Sequence, residues 1–552
     1  MVESPFPGLN GTNHGHDFVD KKIRQSRGKG AVLAPETHPR QTILKHHPER
    51  SRSPRSRLAR LALFSLALLP VGCVTNDTGD GNHLDAALTG QLPAHWTSAR
   101  IHVPDSAATG WLDDFDSPAL AKLVRSAVDQ NYDLSAAAAR VRQAYSRLRI
   151  AGADALPQVD TSLDVARSQN LRGAAFQTVR ANTFNFGLDV SWEADLWGRV
   201  ANLKRAAAAD FDASSADYRA ARFSLAANTA KTALELVESE RQIALSRENL
   251  TSLKTNLDIL DRKLEAGDAD DRTALEISLS RADIARGQAN IAQQQREADG
   301  ARRLLETLMG GYPKGTLEAL GDLPKVRRSI PAGLPSELLL RRPDLVAAER
   351  RVDARVNEVD AARKALLPAI RLTSGAGTST TREFTDLFNI QNLVWNIGSN
   401  FAQPIFEGGR LRAQIALSEA ERDEIVANYA ETALDAFREV ETTLAAEGHF
   451  LNQQSALEEA VTEADRAEQL SLSQYEKGLV DIITLLESQR RAFDARSALL
   501  SIRRQRLANR IDLYLALGGD FDAEPSMIEI DAPPVAKAKP QPSSVTTRAR
   551  RR

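Results

Sequence analysis

Several kinds of chemistry are missing from this sequence before any pattern in it is considered. Its 552 residues hold one cysteine, Cys73, which excludes an intrachain disulfide framework and a cysteine-rich metal site. Of nine histidines, eight lie at or before His102, so a clustered-histidine metal site or a Ser-His-Asp triad would have to use His449 or the N-terminal stretch. There is no Gly-rich phosphate loop, since "MGGYPKG" (Met309 to Gly315) lacks the Walker spacing. Basic and acidic residues balance at 71 against 73, which gives no support to a nucleic-acid-binding protein. The expectation is therefore a protein that is not an enzyme, with no cofactor, no metal and no nucleic-acid partner. Aromatics are only 5% of the chain and methionines three, which suits long helices with thin seams better than several thick globular cores.

What is present begins with an address. Residues 1–57 carry eleven Lys/Arg against five Asp/Glu, with Pro, Gly and Ser throughout, and nothing there could bury a core. The expectation is a disordered basic leader, or a start assigned too far upstream. Arg57 and Arg60 then precede an apolar run from Leu61 to Val71. Eleven residues are too few to span a hydrocarbon layer, which takes about 20. A basic flank, a short apolar stretch and small Gly72 describe a secretory signal over 58–72. Cys73 follows at once, and the junction resembles a bacterial lipoprotein box whose thiol is acylated. Pro70 departs from that pattern, three residues before the cysteine.

The remainder is one unit written twice. "NYDL" (Asn131 to Leu134) answers "RPDL" (Arg342 to Leu345), Pro157 answers Pro368, Gly198-Arg199 answers Gly409-Arg410, and Glu265 and Gly267 answer Glu476 and Gly478. All of these pairs are 211 residues apart, and Gly310 matches Gly518 at 208. The expected units are 73–118 as a lipid-linked segment, 119–311 as the first repeat and 312–334 as a linker. The second repeat then spans 335–519 and a disordered basic tail 520–552.

Each copy reads helix, strand, strand, long helix, break, long helix. Leu236, Ile243, Leu250, Leu257 and Leu264 recur every seven residues, as do Ile277, Ile284, Ile291, Ala298 and Leu305. Leu486, Phe493, Leu500, Leu507 and Tyr514 keep the same period in the second copy. Sustained sevens imply coiled-coil packing. Gly267 and Gly478 suit the ends of the long helices, folding or bending each copy there.

Between the helices the period changes to two. Phe184, Phe186, Leu188, Val190, Trp192, Ala194 and Leu196 alternate with polar or small residues, so one face of this strand is oily and the other wet. Val159, Thr161, Leu163 and Val165 form a shorter partner, and Ile370, Leu372, Leu393, Trp395, Ile397 and Phe401 supply the second copy. The oily face could lie on a soluble sandwich core or against lipid. A sandwich needs a second sheet that four strands do not supply, whereas about ten tilted residues suffice to cross a bilayer. A membrane sheet cannot leave an edge unpaired, and the smallest closed barrels have about eight strands, so several chains would have to share one barrel.

At this point a family resemblance can be named. "DLWGR" (Asp195 to Arg199), "RRPDLVAAER" (Arg341 to Arg350), "ALLPAI" (Ala365 to Ile370), "FEGGR" (Phe406 to Arg410) and "LYLALGG" (Leu513 to Gly519) together resemble the TolC-like outer-membrane efflux channels. The likeness is to the lipoprotein (NodT-type) branch serving RND pumps. It implies a mainly α fold with a membrane β-barrel contribution: a homotrimer whose 12-stranded barrel continues as a helical coiled-coil tunnel. It also implies a periplasmic adaptor, an inner-membrane RND or ABC pump, and a lipid-anchored place in the outer membrane of a Gram-negative cell. Phe184, Phe186, Leu188, Val190 and Trp192 would then face lipid. Matching "YEKGLVDIITLLESQR" (Tyr475 to Arg490) to the family's tip places an apolar constriction at Ile483 and an acidic gate at Glu487, with Glu276 as its counterpart in the first repeat. Three Glu487 side chains around an axis would raise one another's pKa.

The function expected is a passive exit duct for drugs or other small toxic compounds. The alternatives are a duct for type I protein secretion, or a periplasmic adaptor or structural coiled-coil lipoprotein. An adaptor would have a single hairpin and no oily strands, and a coiled-coil protein would leave the strands unexplained.

Overall fold

The computed structural model describes residues 96–98, 110–172, 177–267, 272–326 and 335–520. The leader, the signal segment and Cys73 lie outside these residues, as does the tail from 521 onward. The N-terminal body opens with a 3-10 turn at Trp111–Phe115 and helices α1 (Pro118–Gln130) and α2 (Tyr132–Ala153). Strands β1 (Gln158–Arg172) and β2 (Gln177–Ala194) come next, then α3 (Arg199–Glu265) and α4 (Thr273–Leu308). The same order returns as α5 (Pro335–Arg341), α6 (Pro343–Lys364), β3 (Ala369–Thr380), β4 (Leu393–Ala402), α7 (Arg410–Glu476) and α8 (Ile482–Ala516).

The long helices α3 and α7 each run 67 residues without a break, about 100 Å at ~1.5 Å per residue. Helices of that length are not held by propensity alone; each needs a packed stripe along its axis. Neighbour contacts supply it. Beneath the strands, helices lie side by side in the order α2, α3, α6, α7, and farther from the strands in the order α4, α3, α8, α7. So α3 and α7 traverse both halves, while the shorter helices cover one half each.

The four strands form one antiparallel sheet in chain order, β1-β2-β3-β4. Sequence alternation carried the second strand to Leu196, but β2 stops at Ala194. Asp195 turns instead to accept the backbone N–H of Ala201 at 2.7 Å, capping the first turn of α3, and that bond bends the chain out of the sheet. Two 3-10 turns, Phe384–Phe388 and Ile390–Asn392, fill the β3–β4 connection.

A belt of packing lies around the middle of the long helices. Trp111, Phe115 and Leu120 share a core cluster with Phe223, Ala226, Ala230 and Leu234 of α3 and with Tyr514 of α8. A second cluster joins Leu345 of α6 to Tyr429, Ala433, Ala436 and Val440 of α7. Asp520 was assigned to the tail by sequence, yet it is buried here, accepting Gly110 N–H at 2.8 Å and approaching Arg222 at 3.4 Å. No described helix is both long and apolar enough to cross a membrane.

Candidate functional site

The sheet sets out two faces by register. Directly paired residues share a face, so Phe186 lies with Leu163 and Thr378, Leu188 with Thr161 and Ala376, and Val190 with Val159 and Ser374. Across β3 and β4, Ile370 lies with Phe401, Ser374 with Ile397 and Ala376 with Trp395. The result is one continuous oily face. Within a single chain only its end beside the β3–β4 connection is covered, where Phe384 packs edge-on against Phe184, ring centres 5.9 Å apart; elsewhere it is open, with Phe186 51% exposed, Trp395 72% and Ile397 78%. From Phe184 to Ala194 the strand rises about 33 Å at ~3.3 Å per residue, which a tilt of about 40° reduces to ~25 Å, the height of a barrel's apolar band.

The opposite face is wet, and its own side chains lie over part of it, Asp189 and Asn396 closing over Gly375. Asp160 pairs with Asp189, Asp164 with Asn185, and Glu193 with Arg371. Like charges directly opposite one another weaken a sheet, so the Asp160–Asp189 pair is not there for strand stability. Ser162 donates its hydroxyl to Asp189 Oδ2 at 3.3 Å. Between the acids, Gly187, Gly375, Gly377 and Gly398 share this face and present no side chain. A Cβ added at Gly377 would meet the Phe186 carbonyl at 2.2 Å, so glycine is required there. Both outer edges of the sheet, on β1 and β4, lack a strand partner among the described residues.

At the far end of the helices the two hairpin tips are locked together. Leu260 and Ile277 of the first hairpin form one buried cluster with Tyr475, Ile482 and Leu485 of the second. Asn256 Nδ2 donates to Gln489 Oε1 at 2.7 Å within it, and Lys263 Nζ stands 4.9 Å from the Tyr475 ring centre. Gly267 and Gly478 follow the ends of α3 and α7 with φ of +79° and +71°. Those left-handed angles are where a β-carbon is penalised. Asp481 caps α8, accepting Thr484 N–H at 2.8 Å, and bonds to the Thr484 side chain and backbone hold its carboxyl below the usual range.

The proposed gate residues fall in different surroundings. Ile483 is 47% exposed, and Glu487 is half-buried one turn farther along α8. Glu276 sits half-buried in the first turn of α4, on the other hairpin. The Glu487 carboxylate does not stand alone. Arg491 Nε and Arg490 Nη2 each donate to it at 2.8 Å, and these bonds hold its pKa below the ordinary carboxylate value. Within one chain the shift is thus opposite to the mutual raising expected from a bare ring of acids. The signal was in the sequence, since arginines three and four residues after an acid face it on a helix. Two other sites escaped notice because they join distant segments. Thr97 and Ser98 dock on Glu441, and Arg342 bridges Asp344 and Glu439 at 2.7 Å each.

No group of three or more metal-ligating side chains exists among the described residues. With both sheet faces largely open and the helices laid side by side, the described residues are arranged as a wall.

Comparison with known proteins accords with that wall. A family model described as "Outer membrane efflux protein" matches residues 123–311 and again 334–519. The pyoverdine export outer membrane protein OpmQ of Pseudomonas putida is 33% identical over 449 residues, 78% of this chain and 93% of that protein. The outer membrane protein OprJ of Pseudomonas aeruginosa is 33% identical over 414 residues, covering 74% and 86%. Among solved structures, the outer-membrane channel OprN superposes with a TM-score of 0.73 at 26% identity, over 78% of this chain and 97% of that one. These relatives are, in turn, an export protein, an outer membrane protein and a channel.

Proposed function

The chain belongs to the outer membrane efflux protein family, an outer-membrane channel component of efflux systems, and from that premise we propose how it forms its duct. Three copies join edge to edge, β4 of one beside β1 of the next, into a 12-stranded barrel. The long helices continue the ring as a tunnel across the periplasm. The observation that carries this reading is a sheet whose oily and wet faces are both largely open and whose two outer edges have no strand partner among the described residues. Closure satisfies the edges, lipid covers Phe184, Phe186, Leu188, Val190 and Trp192, and the wet face lines the lumen.

Acylated Cys73 anchors each chain to the outer membrane, and the hairpin tips engage a periplasmic adaptor and an inner-membrane pump that supplies the energy. Ile483 and Glu487, with Glu276 nearby, narrow the closed tip, and opening is a rearrangement of the hairpins biased by partner contact. Passive passage needs no chemical step, so the cargo is whatever small compound the pump delivers.

The test uses a matched pair of variants. Leu188→Arg places a charge in the lipid band at a cost of about 2–4 kcal/mol per chain, and the trimer is expected to be lost from heat-stable gels. Ser191→Arg, on the wet face, should leave the trimer intact and shift bilayer currents toward anions. Assembly that survives Leu188→Arg but fails with Ser191→Arg would turn the sheet inside out and end this reading.

A further inference from the structure

The face that α1 covers in the first copy has to be covered differently in the second. Helix α1 has 13 residues and packs on α3, sharing a core with Phe223, Ala226 and Ala230. Its counterpart α5 has seven. At the positions of α7 that answer Ala226 and Ala230, 211 residues on, stand Phe437 and Glu441. These two receive a short N-terminal strap instead of a helix.

Trp96 is 6% exposed, with its ring centre 6.1 Å from that of Phe437. Glu441 accepts two successive backbone amides, Thr97 N–H at 2.7 Å and Ser98 N–H at 2.8 Å. A carboxylate spanning two amides fixes direction and register as well as position. The strap and its receptor are more than 340 residues apart in sequence, so the contact is tertiary.

Its position along α7 gives it leverage. Glu441 lies 31 residues from the start of this 67-residue helix, close to its midpoint. Of the seven α7 residues buried within one chain, four (Tyr429, Ala433, Ala436 and Val440) cluster in the turns just before it. Below that grip α7 is bound along α8, with Arg496 on Asp465 and Glu468 and Arg503 on Glu458, so the two helices form one stiff arm. A long rod gripped at its middle is a lever.

We propose that the Trp96–Ser98 strap is the fulcrum of α7: its seating on Phe437 and Glu441 fixes the pivot about which the second hairpin swings, and so sets how readily the tip opens. This rests on the duct reading above for its second half only. The grip on α7 is a property of the single chain.

The experiment compares the full-length protein with Trp96→Ala and Glu441→Gln, the second preserving shape should the first fail to fold. Hydrogen exchange over 429–441 should quicken about tenfold in Trp96→Ala and less in Glu441→Gln, while the matching α3 stretch 218–230, under α1, stays unchanged. In planar bilayers both variants should open more often, in the same order. Unchanged exchange over 429–441 in both variants would overturn the strap's grip. Faster exchange with unchanged opening would overturn the fulcrum. A wild-type protein that carries no current would remove duct and fulcrum together, with the exchange result then describing a structural brace.

Discussion

The two copies match closely in the lengths of their long helices and differ in how deeply those helices are held. Helices α3 and α7 have the same length and start 211 residues apart, yet 22 residues of α3 are buried within the chain against seven of α7. The cause is position, not composition. α3 is flanked on both sides along its whole length, whereas α7 is an edge helix with α6 and then α8 on one side only. Equal sequence patterns thus give an inner post and an outer rail. The rail's free flank is what a neighbouring copy would cover.

The joint between belt and helix differs in chemistry as well. In the first copy Asn131 donates to the Leu308 carbonyl at 3.0 Å and caps Leu134. In the second, Arg342 reaches the corresponding carbonyl of Ala516 at 3.3 Å and binds Asp344 and Glu439. Exchanging a neutral tie for an ionic one raises the stakes of losing it. Arg342→Ala should cost on the order of 3 kcal/mol, because two partly exposed carboxylates lose their partner, whereas Asn131→Ala should cost about 1 kcal/mol. Exchange protection at the C-terminal turns of α8 and α4 reads the two losses separately. Equal losses would mean that the joints are interchangeable.

A smaller effect sharpens the same contrast. Ala233 of α3 is 1% exposed, and its counterpart in α7 is Leu444. Ala233→Leu copies the second copy's own residue, but it should destabilise by about 1–3 kcal/mol because the post has no spare volume. A neutral effect on thermal unfolding would show that α3 is less tightly packed than its burial indicates.

The smallest expected effect concerns the tip. Arg490 and Arg491 hold Glu487 below the usual carboxylate range. A depressed pKa means that the ionised, paired form persists down through neutral and mildly acidic pH and is lost only as pH falls through that lowered value. Bilayer conductance should therefore be flat between about pH 8 and pH 6. A step in that window would mean that three facing acids dominate over their own arginines. Glu487→Ala should raise conductance modestly, since it removes the acid and frees Arg491, while Arg490 keeps Asp494 at 3.7 Å.

What could be read in advance follows from distance along the chain. The helical sevens and the strand twos are short-period signals, and the repeat shows as matching motifs at one constant offset; Phe184 to Ala194 announces its two faces without help from the rest of the molecule. The end of β2 was misplaced because Leu196 keeps the alternation while Asp195, beside it, leaves the sheet to cap α3. Trp96 on Phe437 and Arg342 on Glu439 could not be read, because nothing local to either residue points to its partner. Arg490 and Arg491 could have been.

The glycines of the wet face have a consequence for traffic. With Gly187, Gly375, Gly377 and Gly398 turned toward the bore, that surface is low in relief, and only the short side chains of Ser162, Asp189, Thr373 and Asn396 lie over its backbone. A passing molecule finds little relief to lodge against, so molecules of unlike shape fare alike and only the acids around the glycines tell them apart by charge. Such a spout empties quickly and chooses poorly, which leaves sorting to whatever feeds it from below.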